Sequence, residues 1–391
     1  MISISKAIET IKNNLPEPRS QELLVSNSLR SVISQDIHSP VSLPLFDNSA
    51  MDGYAICYGP NEEYGLIGEI KAGDDASQIY LQENQAIRIF TGAMIPLNCT
   101  HVVRQEDANQ HVKIVTFDVF PKDGGNIRKK GTEINQGELI LHKGTTITPG
   151  TIGLLKSLGL ETISAYSNPS VAIVSTGNEL QLAGTDLKPG QIFESNSEML
   201  RQAILQVEQC ESDVYYCSDN QLETEQLIAK LLESYDILVF TGGISVGDYD
   251  FVGKSLLKNG VDELFYKVEQ KPGKPLWFGA KKDTLCFAFP GNPAAALTCF
   301  YIYMKPVLAH LKGRGFAQLE QISATLKSPI EKPNGRSQFL KAHLVNGEVE
   351  VLDRQSSSML KSFSESNAIA FLPANEKRAA GSSILIYKLP N

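Results

Sequence analysis

Val171-Ala172-Ile173-Val174-Ser175-Thr176-Gly177-Asn178-Glu179 is a short apolar run that breaks into small polar residues, a glycine and a carboxylate. A Val/Ile-rich run of this length, closed by glycine, reads as a strand buried on both faces. The pattern recurs downstream. Val214–Cys217 runs into Ser218-Asp219, and Leu285–Phe289 into Pro290-Gly291-Asn292-Pro293. Ile237–Phe240 runs into Thr241-Gly242-Gly243-Ile244-Ser245-Val246-Gly247-Asp248-Tyr249-Asp250. Helical stretches separate these strands. Ser195-Asn196-Ser197-Glu198 has the form of a capping box opening a helix to about Glu208. A second helix is expected over Glu223–Glu233 and a third near Phe251–Lys258, closed by Gly260. Asn292 as N-cap and Pro293 at the first helical position begin a long fourth helix. Strand and helix alternate, which predicts an α/β domain over 169–317 built on a mainly parallel sheet.

Outward from this block the punctuation changes. Residues 46–140 carry short β-rich segments (Tyr64–Ile70, Ala86–Phe90, His101–Gln105, Val112–Phe117) without helical periodicity, the mark of a small β domain. Residues 318–391 return to strands, with Phe339–Val345 and Glu348–Leu352 flanking the hairpin pair Asn346-Gly347. Ala368–Leu372 and Ser383–Tyr387 follow, and a small β-sheet or barrel is expected there. Residues 1–45 read as helices ending in the extended run Ser39-Pro40-Val41-Ser42-Leu43-Pro44, and with 141–168 they are assigned to a linking domain. Pro149 and Gly159 frame a short helix within it. The expected fold class is therefore α/β plus β, in a multi-domain chain.

Composition narrows the function. A formal charge of −8 over 391 residues disfavours nucleic acid and anionic membranes as partners, since both reward a basic surface. The six cysteines contain no C-x-x-C pair and the six histidines no ligand spacing, so neither disulfides nor a zinc site is expected. Ile4, Ala7, Ile8 and Ile11 form an amphipathic helix and not a signal peptide. The apolar window Cys286–Met304 is interrupted by Pro290–Pro293 and reads as strand, turn and buried helix, not a membrane span. A cytoplasmic location is expected.

The chemistry sits at the strand ends. Ligands of parallel α/β sheets bind beyond the carboxyl ends of the strands, where glycines expose backbone N–H groups and helix N-termini favour negative charge. A lone strand-Gly-Gly-helix turn is ordinarily geometry; four polar loops on one edge point to an anion site. Neither a Walker loop nor a dinucleotide fingerprint is present. Ser175, Thr176, Gly177, Asn196, Gly242, Gly243, Ser245, Asp248, Pro290, Asn292 and Pro293 are the candidate ligand contacts. Lys267, Lys271 and Lys274 add cationic charge on a proline-stiffened segment. Among the carboxylates Glu179, Asp219, Asp248 and Asp250, some can hold Mg²⁺ beside phosphates, although Asp250 equally suits a helix cap.

Three further segments are weak alone: Asp47-Asn48-Ser49-Ala50-Met51-Asp52-Gly53-Tyr54-Ala55, Thr91-Gly92-Ala93, and Asn126-Ile127-Arg128-Lys129-Lys130-Gly131-Thr132-Glu133. Together with Ser175–Leu180, Thr241–Gly247, Lys271–Pro275 and Pro290–Pro293, in this order, they closely resemble the molybdopterin molybdenumtransferase family, which includes the E-domain of gephyrin-type proteins. The resemblance spans essentially the whole chain. It implies an elongated homodimer with a composite site between the α/β domain of one subunit and the small β domain of the other. It also implies an enzyme that takes adenylylated molybdopterin and molybdate, requires Mg²⁺, releases AMP and leaves molybdenum on the dithiolene. Asp52, Thr91, Arg128, Glu179 and Asp250 match the family's functional polar positions, with Asp219 and Glu133 beside them, and Glu179 and Asp250 are the expected metal ligands. Glu133 stands where family members usually carry Asp, one methylene longer, and Ala295 where many carry Ser, one hydroxyl fewer. Rival readings are a molybdopterin adenylyltransferase or nucleotide pyrophosphatase on the same α/β domain, and a gephyrin-like scaffold without catalysis. The adenylyltransferase is also a candidate docking partner.

Overall fold

The computed structural model describes residues 1–244, 251–331 and 335–390. Ser245, Asp248 and Asp250 therefore lie outside the described residues. The chain divides into two compact units, Glu22–Ser164 and Met1–Gln21 with Ala165–Asn391. The first 45 residues are split between them. Their only α-helix is α1, Ile4–Lys12, capped by the Ser3 hydroxyl and burying Ala7 and Ile11. The further helices expected before residue 45 are replaced by short strands and one 3₁₀ turn, Val25–Asn27. Pro16, Pro18, Pro40 and Pro44 break the helical period that Ile4–Ile11 begins.

The Glu22–Ser164 unit is mostly β. Two-residue strands β1 (Asn48–Ser49) and β8 (Ile127–Arg128) pair antiparallel. Between them run β2 (Gly53–Cys57), β3 (Tyr64–Ile70), β4 (Gln85–Ile89), β5 (His101–Arg104), β6 (Ala108–His111) and β7 (Ile114–Phe117). They form one sheet in the order β5-β2-β4-β3-β7-β6. The strand expected over Val112–Phe117 is β7, starting two residues later at Ile114, and Val112, with positive φ, turns the chain from β6 into it. Alternation along β2 sends Ala55 and Cys57 to one cluster and Tyr54 and Ile56 to the other. The helix framed by Pro149 is α2, Pro149–Ser157, capped by Thr148.

In the second unit, β9 (Val171–Thr176), α3 (Asn196–Glu208), β10 (Ser212–Cys217), α4 (Gln221–Leu231), β11 (Ile237–Thr241) and α5 (Val252–Lys258) alternate as expected. Then come β12 (Asp262–Tyr266), the two-residue β13 (Gln270–Lys271), β14 (Trp277–Lys281) and β15 (Thr284–Phe289). The sheet order is β10-β9-β11-β15-β14-β12. Its first four strands are parallel and the last two antiparallel. Ile173, Val239 and Phe287 pack into the core on one face, and Val174, Phe240 and Ala288 into the core on the other. Side chains alternate across a strand, so continuous apolar runs are what two-sided burial demands.

The long apolar helix α6, Pro293–Leu311, covers the first face with 89% of its most apolar window buried. Beyond it, β16 (Gln321–Leu326), β17 (Ser337–Val345), β18 (Glu348–Val351), β19 (Ala368–Leu372) and β20 (Ser383–Lys388) pair in the order β17-β18-β16-β20-β19. A β17–β19 pairing closes them into a five-stranded barrel. Closure leaves no free edge along this ring, and Leu326, Leu340, Ala342, Val349 and Ile386 fill it.

Candidate functional site

The four loops of the α/β domain do open on one edge. Register places Thr176 opposite Cys217, Ser175 opposite Thr241, and Thr241 opposite Phe289. Every loop therefore leaves its strand at the same height. The loops also touch: Gly242 N donates to Phe289 O at 3.3 Å, and an added Cβ on Gly291 would stand 3.5 Å from Gly242 Cα. Gly242 and Gly243 have φ of +88° and +61°. A side chain on Gly243 would meet Val252 at 2.8 Å and the Thr176 hydroxyl at 2.9 Å, so both conformation and space demand glycine here.

Several expected contacts hold the edge together from within. Ser175 Oγ donates to Glu194 Oε1 at 3.2 Å and Thr176 Oγ1 to Thr241 O at 3.4 Å. Asp219 accepts from Asn178 N at 3.0 Å while Asn178 Oδ1 accepts from Asp219 N at 3.2 Å, a reciprocal tie between two loops. Asn196 donates to Gly291 O at 2.8 Å, and its own side-chain oxygen is buried without a partner among the described residues. Lys271, Lys274 and Glu179 are exposed. Lys267 lies against the ring of Tyr266, 4.5 Å from its centroid.

The capping box expected at Ser195 is not formed. Glu198 turns outward to Arg201 and Gln202, and the helix is capped by Glu194, whose carboxylate accepts from Ser197 N at 2.9 Å and Ser197 Oγ at 2.5 Å. The positive end of α3 is thus already answered by a carboxylate of the chain. Glu194 was not legible as a site residue, its only signal being an acidic residue directly before the cap. It lines a cavity of about 410 Å³ with Gly177, Asn178, Leu182, Tyr216 and Ser218, and among the described residues is the one charged side chain in that lining.

The barrel reaches the same edge, which the sequence did not show. Asn292 Nδ2 donates to Ser357 Oγ at 3.0 Å and Ala295 N to Ser357 O at 3.2 Å. Asn292 is the N-cap residue of α6 but makes no side-chain cap bond; its Nδ2 is turned toward Ser357. The loop carrying Ser357 is fixed by the buried ammonium of Lys341, which donates to the carbonyls of Arg354, Ser356 and Met359 at 2.9–3.1 Å.

In the other unit, three segments distant in sequence meet at one corner. Ser49 N donates to Ala93 O and Gly92 N to Ser49 O, while β1 pairs with β8 and Ala50 N donates to Asn126 O. Asp52 Oδ1 accepts from both Thr91 N and Thr91 Oγ1 at 2.8 Å. The Thr91 N–H and hydroxyl hold the Asp52 carboxyl below its ordinary pKa, with Arg88 helping. Asp47 is taken by Lys129 Nζ at 2.9 Å and Lys130 N at 2.8 Å. Arg128 and Glu133 are exposed at this corner, where Glu133 N donates to Leu43 O at 3.0 Å.

Three family models match the chain in order. They are the MoeA N-terminal region (domain I and II) over residues 2–159, a probable molybdopterin binding domain over 172–310, and the MoeA C-terminal region (domain IV) over 323–389. A molybdopterin molybdenumtransferase of Haemophilus influenzae is 32% identical over 399 residues, covering 99% of this chain and 98% of that one. The chain belongs to the molybdopterin molybdenumtransferase family. A second relative of that name, from Staphylococcus epidermidis, is 31% identical across 96% of this chain and 92% of its own. Among solved structures, a molybdopterin biosynthesis MoeA protein of Pyrococcus horikoshii superposes with a TM-score of 0.86 at 26% identity, covering 99% of both chains. A second structure of that protein gives 0.75. The match extends over the α/β domain, the small β domain and the barrel alike.

Proposed function

We propose that this protein inserts molybdenum from molybdate into adenylylated molybdopterin, releasing AMP, as a cytoplasmic homodimer that requires Mg²⁺. The carrying observation is the common edge of four polar loops with the exposed Lys271 and Lys274 nearby in the same unit. A pyrophosphate bridge and an oxyanion both need N–H donors and cations that are not neutralised by the chain itself. The two lysines are assigned to those anions, and the glycine loops supply backbone donors.

The donor set fits Mg²⁺. Glu179 is an exposed carboxylate with no hydrogen bond to its oxygens among the described residues, and no cluster of three potential ligands occurs among them. Mg²⁺ takes one or two protein carboxylates and fills its remaining positions with phosphate oxygens and water. Glu179 would hold it, with Asp250 the expected second ligand. When bound, the ion offsets phosphate charge and polarises the phosphoryl oxygen. The chain's own share is to orient the substrate. The cavity would take the pterin ring against the apolar surface of Tyr216 and Leu182, while Glu194, whose carboxylate accepts from Ser175 and Ser197, holds the cavity wall. Asp52, Thr91, Arg128 and Glu133 of a second copy complete the site in this reading.

The test is AMP release from adenylylated molybdopterin with molybdate and Mg²⁺. Glu179→Ala should abolish it while leaving the thermal melt unchanged, and undiminished turnover would remove Glu179 from the mechanism. Wild-type protein that releases no AMP would favour the scaffold reading.

A further inference from the structure

Between Lys271 and Lys274 lie Pro272 and Gly273, and the carbonyls of both are held by one buried side chain. Gln270 is fully buried, and its Nε2 donates to Pro272 O at 3.0 Å and Gly273 O at 3.3 Å. Its Oε1 accepts from the hydroxyl of Tyr303, which is also fully buried. A glutamine amide has two N–H donors and one carbonyl oxygen, and here both ends are used on named partners.

The loop wraps tightly around this amide. Gly273 has φ of +84°, and a Cβ there would stand 2.7 Å from Gln270 Nε2 and 2.6 Å from Cys299 Sγ. On the far side, Lys274 O accepts from Val268 N and Leu276 N, both at 3.0 Å. The main chain of Gln270 is anchored in turn: its carbonyl accepts from Arg336 at 3.1 Å, and β13 pairs with barrel strand β17. Tyr303 sits in α6, the helix that starts at the Pro290–Pro293 loop. One hydrogen-bond chain thus runs from α6, through Gln270, to the backbone between the two lysines. A buried amide is costly unless satisfied, and an apolar side chain would fill the same space. What this amide adds is a fixed spacing of the Lys271 and Lys274 backbones, which lowers the ordering cost of gripping an anion.

We propose that Gln270, oriented by the Tyr303 hydroxyl, is a positioning residue for the Lys271–Lys274 pair; this rests on the reading of that pair as the anion contacts. The experiment measures equilibrium binding of adenylylated molybdopterin to the full-length protein, without molybdate, for Tyr303→Phe, Lys271→Ala/Lys274→Ala and the triple variant. Tyr303→Phe keeps the ring and should weaken binding about 5-fold, while AMP release at saturating substrate with molybdate and Mg²⁺, measured alongside, stays within about 2-fold. In the lysine-less background it should change nothing further, because coupled residues are non-additive. An unchanged affinity for Tyr303→Phe, or an equal loss in both backgrounds, overturns the proposal. Full affinity in Lys271→Ala/Lys274→Ala instead overturns the lysine reading and takes the proposal with it. If Tyr303→Phe melts early, Gln270→Met supplies the same comparison without touching the helix.

Discussion

The α/β sheet edge and the corner of the small β domain both gather polar residues, but they do so differently. At the sheet edge, parallel register delivers each loop to the same height, and the exposed Lys271, Lys274 and Glu179 carry charge outward. At the corner, three segments up to 83 residues apart converge, and two carboxylates are already satisfied, Asp52 by Thr91 and Asp47 by Lys129 and Lys130, while Arg128 and Glu133 stay exposed. A satisfied carboxylate organises backbone; a cation without a partner among the described residues is available to an anion. In the proposed reading the edge supplies the anion contacts, and the corner of a second copy adds a surface that is largely pre-built, with Arg128 exposed on it.

The largest separation between the two should come from Lys271→Ala/Lys274→Ala. Each charge-assisted hydrogen bond contributes about 1.5–3 kcal/mol, so affinity for adenylylated molybdopterin should fall about 100-fold or more with an unchanged melting temperature. An equal loss of affinity from Thr91→Val would break the distinction between the two regions.

Glycines sharpen it next. Gly243→Ala must accept positive φ and contacts at 2.8–2.9 Å, an expected cost of about 2–4 kcal/mol by thermal unfolding. Gly92→Ala at the corner shares the positive φ but meets nothing within 4 Å, and about 1–2 kcal/mol is expected.

A smaller effect is pH-dependent. His101 of β5 is buried with both ring nitrogens unpartnered among the described residues, and burial lowers its pKa below 6.5, with Asp123 opposing. The neutral ring is the folded form, so the unfolded chain binds the extra proton. Stability is full above pH 6.5 and declines as pH falls through the depressed native value. Melting temperature should drop between pH 7.5 and 5.5, and His101→Phe should flatten that drop. The smallest effect is expected for Thr91→Val, which removes the hydroxyl bond to Asp52 but keeps the N–H bond. The Asp52 link is present above about 3.8 and lost as pH falls through its lowered native pKa, so the variant and wild type should converge in acid.

The sequence alone determined the four parallel strands of the α/β domain, the two-sided burial of β9, β11 and β15, and the edge on which their loops open; it showed neither the antiparallel β12 and β14 nor that β10 is a half-exposed edge strand. Apolar runs ended by glycine, at βα spacing, admit few other arrangements. It also carried the identity of the polar loop residues, because each sits directly after its strand. The tertiary structure decided the rest. Glu194, and not Ser195 with Glu198, caps α3, since capping depends on where a flexible side chain turns. Ser357 meets Asn292 across 65 residues, and Gln270 serves two carbonyls beside it under the hydroxyl of Tyr303, 33 residues on. Local spacing encodes elements and the residues at their ends; hydrogen bonds between distant elements exist only after the core has brought them together.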